Sequence, residues 1–153
     1  MKNNDEEIVD KLSHEGIDLA TVNKRATAFV IDDMIISILF MIIFFDKFKA
    51  LSGDLEGMIA FMNSIFIYMI SVKTLYQTMF IALYGQTIGK MAMKIKVINV
   101  DYLDNPDFFE SFQRAIGRVV SEVVFYLGFI WANFTPSRQT WHDKLAKTIV
   151  VDV

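Results

Sequence analysis

Two adjacent carboxylates, Asp32 and Asp33, lie inside "KRATAFVIDDMIISILFMIIFF", residues 24 to 45, a stretch apolar enough to span a bilayer. An ionised side chain at the bilayer centre costs about 2.5–3.5 kcal/mol on insertion scales, so an intramembrane acid points to an ion path, a proton relay or a buried pair. Groups of matching chemistry stand in the other apolar stretches: Lys73 and Gln77 in the second, Glu122 in the third, with Arg25 at the mouth of the first. A carboxylate that changes its ammonium partner as it gains and loses a proton meets the minimal requirement of a relay. The same groups can also act as packing contacts alone, since polar pairs between membrane helices contribute about 0.6 kcal/mol on average. Both readings stay open at this point.

Other chemistries are poorly supplied. The chain has no cysteine and only two histidines, His14 and His142, so thiolate chemistry is absent and no metal site or cofactor is expected. His142 beside Asp143 could pair as acid and base, yet no nucleophile or third ligand completes a hydrolytic set, and a structural hydrogen bond is the simpler role. "GQTIGKM", residues 85 to 91, has three residues between its glycines where the Walker phosphate loop has four, and methionine where that loop has Ser or Thr. It is not read as a nucleotide site. A formal net charge of −3 argues against nucleic acid as a partner. An enzyme is therefore not expected, and the bilayer itself is the expected partner.

The elements that must position these groups follow from the apolar pattern. Of 153 residues 54% are hydrophobic, gathered into blocks at Ala26 to Phe45, Met58 to Tyr84 and Val119 to Phe134. About 20 residues at roughly 1.5 Å each cross a core of about 30 Å, so the first two blocks are long enough and the third, at about sixteen, needs an earlier start. The expectation is an α-helical membrane protein with about three membrane-embedded helices, over about residues 25–46, 57–84 and 110–134. Gly85 stops the second. "KIKVINV" and the C-terminal "KTIVVDV" alternate or are β-branched, so both read as short strands expected to pair on one side of the membrane. "NP" at residues 105 and 106 marks a turn, and Thr135 with Pro136 reads as a helix start. Residues 1–23 are acidic and carry no secretory pattern, so they are expected to form a cytoplasmic segment ahead of the membrane domain, 24–153, with insertion beginning at a mature helix.

Depth then ranks the acids. Arg25 and Asp32, seven apart, share a helix face about 10 Å apart along the axis, and Asp33 points about 100° further round. On an antiparallel second helix Gln77 matches the depth of Asp32, and Lys73, about one turn deeper, reaches back along its stem. The expectation is a buried Asp32 coupled to Lys73, with Asp33 outside that pair. Ser71, Thr74 and Thr78 extend the polar half of the second helix, and Arg114, Arg118 and Glu122 step by four along one face of the third, allowing an Arg118 to Glu122 contact.

Orientation follows from basic residues near the block ends. Three full crossings with the N-terminus inside place eight of them in the cytoplasm against five outside; a third block that dips in and returns places eleven against two. Three crossings are preferred because sixteen residues leave little room for a hairpin. A cytoplasmic N-terminus is common to both.

"RATAFVID", "GQTIGK" and "HDKLAKTIVV" arrive in the order and positions of R-x-x-A-x-x-I-D, G-x-T-x-G-K and H-D-x-x-A-G-T-x-V-V, and together they resemble the RDD family of bacterial membrane proteins. The resemblance implies that Arg25, Asp32 and Asp143 are the residues for which the family is named, with Gly85, Thr87, Gly89, Lys90, His142 and Thr148 as further motif positions. Asp33 is then not the second family aspartate. Lys147 departs from the family's glycine, which questions a tight turn there. The family implies the inner membrane of a bacterium and suggests transport of an unidentified ligand. From the residues, the expected cargo is a cation or proton, carried between protomers of a homo-oligomer. The rival is a membrane anchor or assembly subunit bound to a membrane-protein partner.

Overall fold

The computed structural model describes residues 4–123 and 131–153. In chain order these form α1 (Asn4–His14), α2 (Val22–Ile43), α3 (Phe45–Ala50), α4 (Leu55–Tyr84), α5 (Ile88–Ala92), β1 (Ile95–Asn99), α6 (Phe108–Val123), a 3₁₀ turn (Trp131–Asn133), α7 (Trp141–Leu145) and β2 (Thr148–Asp152). Side chains set most of the boundaries. Thr21 caps α2, Asp54 caps α4, and the Asp107 carboxylate accepts from the Glu110 N–H while Glu110 returns to the Asp107 N–H, a reciprocal cap that starts α6. Gly85 closes α4 in the left-handed region at φ 68°, and a Cβ there would meet the Val97 carbonyl oxygen at 3.0 Å.

The two expected strands pair antiparallel, Val97 opposite Val150 and Asn99 opposite Thr148. Their alternation buries both faces. Ile95, Val97 and Val150 pack with Ala28 of α2 and Ile81 of α4, while Ile98, Ile149 and Val151 pack with Leu12 of α1. Backbone from Asp18 to Ala20 bonds along the outer edge of β2 through Ala20 N–H to Val150 O and Asp152 N–H to Asp18 O. The acidic N-terminal segment is thus fastened to the sheet, with Lys11 and Asp5 adding contacts to the Val100–Asp101 turn and to Lys144.

The helices are apolar outside and polar inside. Only 22% of the apolar window of α2 and 6% of that of α4 is buried, where the core helix of a water-soluble protein would be mostly covered. On α6 Phe109, Phe112, Ile116 and Val120 face outward, while Ser111, Arg114, Arg118 and Ser121 face in. Ser71 does not join the polar interior: it is exposed and its hydroxyl closes on the Ile67 carbonyl. At the far end of α2 and α4 the packing is conventional, with Ile36, Phe40 and Ile65 buried among aromatic rings.

Two expectations are corrected here. Antiparallel pairing of β1 with β2 puts both strands on one side of any membrane the helices cross, so the chain crosses an even number of times between them or not at all, and three full crossings are excluded. The part of the third block at 124–130 lies outside the described residues. Thr135 starts no helix: the segment is bend and turn, and the helix begins at Trp141, where Thr140 and Asp143 form a capping box. The T-x-x-D signature of that box was present in "TWHD".

Candidate functional site

Asp32 sits in a knot that joins three helices. It is 1% exposed and accepts from the Tyr76 hydroxyl of α4 at 2.8 Å, the Gly89 N–H of α5 at 2.8 Å and the Thr87 hydroxyl at 2.6 Å. The Tyr76 oxygen in turn accepts from the Ile88 N–H at 3.0 Å. α5 comes this close because Gly89 has no side chain: a Cβ would lie 2.1 Å from the Ala28 carbonyl oxygen. Thr87, the N-cap of α5, also accepts from the Lys90 N–H. "GQTIGK" is therefore a turn that folds back onto α2, and its carboxylate partner comes from "RATAFVID".

This overturns the expected pairing of the acids. Lys73 bonds Asp33, and Asp32 has no ammonium partner among the described hydrogen bonds and ion pairs. The physical reason is angular. Docking of α5 claims the Asp32 face of α2, and the residue about 100° further round is the one turned toward Lys73. Lys73 Nζ also lies 3.9 Å from Glu122, whose other oxygen accepts from Arg118 Nε at 3.1 Å. Asp33, Lys73, Glu122 and Arg118 thus form a chain of alternating charge along a cleft between α2, α4 and α6, with Gln77 and Thr74 in its wall.

Asp143 forms a second knot on α7. Fully buried, it accepts from Arg25, from Arg114 and from the Thr140 N–H at 2.9 Å, while Arg114 reaches Thr148 Oγ1 at 2.7 Å. Burial works to raise its pKa, but Arg114 and Arg25 outweigh it and hold the carboxyl well below the usual range. Arg25 also donates to the Arg138 carbonyl, and Gln139 donates to Thr148 O at 2.8 Å. His142, 3% exposed, has its pKa pushed well below 6.5 by burial, with Asp143 opposing and the neighbouring arginines adding to the fall. Lys147, at φ 49°, makes the left-handed turn into β2 despite its side chain. The tight turn is kept.

Sequence reasoning brought Arg25, Asp32, Asp143, Gly85, Thr87, Gly89, Lys90, His142 and Thr148 together as motif positions, and the structure places each at the sheet end of the bundle. It missed Tyr76 and the Arg114 to Asp143 bond. Arg114 carried a signal, lying four residues before Arg118 on the polar face of α6; Tyr76 carried none apart from adjacency to Gln77.

Long helices with apolar exteriors, a charged interior and a small two-faced cap define a membrane protein. The chain belongs to the RDD family, whose family model matches residues 19–147. It is also similar to the uncharacterized protein RP437 of Rickettsia prowazekii (strain Madrid E), 27% identical over 99 residues that cover 65% of this chain and 55% of that protein. This chain thus spans little more than half the length of that relative. No solved structure matches it.

Proposed function

We propose that the chain passes a proton or small cation across the inner membrane of a bacterium, along the cleft where Lys73 stands between two carboxylates. The observation that carries this reading is the Asp33, Lys73, Glu122 chain. One ammonium bonded to Asp33 and 3.9 Å from Glu122 can change partner when either acid takes a proton, and each change moves charge along the cleft. Asp32 is not the moving acid in this scheme, because its three donors already hold it in place. The basic bias supports a cytoplasmic N-terminus and a cytoplasmic sheet, with α2 and α4 as the crossings. Among the described residues two helices are long and apolar enough to cross, so the ends of the cleft reach either side of the membrane along the seam between protomers, hence a homo-oligomer. No catalytic step is part of the reading.

Proton flux in proteoliposomes, with and without an imposed pH gradient, tests it. The unaltered chain is expected to pass protons or a monovalent cation, and Asp33→Asn to abolish passage while folded yield holds. The complete hydrogen bonding of Asp32 and Asp143 favours a second reading, a membrane anchor or assembly subunit. Absence of flux together with a stable membrane-protein partner establishes that one instead.

A further inference from the structure

A second chamber adjoins the cleft and shares Gln77 and Arg118 with it. Arg25 and Phe29 of α2, Lys90 of α5 and Arg114 of α6 complete its walls, with His142 of α7 at the edge. Four of these groups are cationic. Three carboxylates stand around them, and each is engaged: Asp143 by Arg25 and Arg114, Glu122 by Arg118 Nε, and Asp32 by Tyr76, Thr87 and Gly89.

Three sets of donors are left over on the chamber wall. Lys90 is 7% exposed, and the one described hydrogen bond of its Nζ is a 3.4 Å contact with Thr87 Oγ1. Arg118 lies over the Phe29 ring at 4.5 Å, with Nε alone committed to Glu122, so its terminal nitrogens have no hydrogen bond among the described residues. Gln77 is 5% exposed and its amide likewise makes none there. Donors that line one small space and are not saturated by protein acceptors suit an anion that takes several of them at once.

We propose that this chamber binds a single phosphate group, supplied either by free inorganic phosphate or by the headgroup of an anionic phospholipid. Guanidinium and ammonium donors converging on one small space match a tetrahedral oxyanion, and basic pockets between membrane helices are where phosphate headgroups lodge. The enclosed space of the chamber is small, far below what a nucleotide fills, so the occupant is a single compact oxyanion. Burial, followed by Arg118 and Arg114, pushes the Lys90 pKa down to about 7, with Asp32 opposing and Arg25 adding to the fall. Among the described residues, His142 of α7 and the Tyr76 hydroxyl of α4 are the further titratable groups on that side. An entering anion reverses the balance at Lys90 and favours its charged form, so binding takes up a proton near neutral pH. The site does not depend on cation passage through the cleft.

Two arms identify the source. The intact chain in detergent is titrated with inorganic phosphate at constant ionic strength, and separately placed in phosphate-free nanodiscs of phosphatidylglycerol or phosphatidylcholine, with Tm as the readout. A saturable rise with phosphate assigns the free ion; a rise in phosphatidylglycerol alone assigns the headgroup; either supports the site. Lys90→Met is expected to weaken the response at least tenfold, and an undiminished response in that variant, or none in either arm, overturns the proposal. Should Lys90→Met fail to fold, equilibrium dialysis of labelled sulfate, whose charge is constant, against the unaltered chain decides. Binding several-fold tighter at about pH 6 than at about pH 8 supports the site, and pH-independent or absent binding overturns it.

Discussion

Asp143 shows how one carboxylate can hold three chain segments: Arg25 comes from α2, Arg114 from α6, and the carboxylate itself caps α7. Removing its charge leaves two buried guanidinium groups without their shared partner. Asp143→Asn is therefore expected to destabilise the fold by about 3–5 kcal/mol, read as lost midpoint in denaturant, with Arg25→Met as the companion that leaves Arg114 still paired and costs less. The acid sensitivities of Asp143 and its neighbour separate by sign and window. Asp143 titrates lower folded than unfolded, so its contribution is intact above its unfolded pKa of about 3.9 and is lost as pH falls through the lower folded value. His142 also titrates lower folded, but as a base, so the unfolded chain takes up the extra proton and stability falls as pH drops below about 6.5. His142→Gln is expected to flatten the Tm against pH curve below about 6.5 while leaving the steeper loss below about 4. A curve unchanged below 6.5 would sink the assignment of that slope to His142.

α5 is five residues long and cannot be stable alone, so its place depends on the Asp32 knot and on the close approach at Gly89. Gly89→Ala puts a methyl 2.1 Å from the Ala28 carbonyl oxygen, and undocking of α5, with a drop in Tm larger than helix propensity explains, is the expected outcome. The turn before β2 offers the opposite change. Lys147 occupies φ 49°, and its ammonium pairs only loosely with Asp101, 3.8 Å away and mostly exposed. Lys147→Gly is expected to gain roughly 0.5–1 kcal/mol, since relief of left-handed strain outweighs the added freedom of the unfolded chain. These elements also mark what could be read from sequence. The strands were legible because a period of two survives in seven residues, and Gly85 was legible as a helix stop. The partner of Asp32 was not, because it depends on where a five-residue helix folds back, and that is set by one missing side chain at Gly89. Helical spacing alone put Lys73 at the right depth and one residue wrong in angle.

At the scale of the whole chain, topology rests on one pairing. Counting basic residues separated the two arrangements only weakly, whereas β1 and β2 cannot hydrogen-bond across a bilayer, and the edge at Asp18 to Ala20 ties the N-terminal side to the same place. Val97 donates to Gly85 O and Val150 accepts from Ala20 N–H, so both turn their backbone groups away from each other and form a non-hydrogen-bonded pair. Cα atoms in such a pair lie about 4.5 Å apart, inside the range that a disulfide spans. The native chain has no cysteine, so Val97→Cys combined with Val150→Cys gives a pair without competitors. Mild oxidation of native membranes is expected to join them, shifting electrophoretic mobility in a way that reductant reverses, while Val97→Cys with a cysteine at Gly53, beyond the far end of α2, stays unjoined. Reporters at Lys94 and Val153 are expected to read the same side, and at Gly53 the other. A reporter at Val153 opposite to Lys94, with no crosslink, would restore the odd number of crossings and remove the cap from which the Asp143 knot hangs.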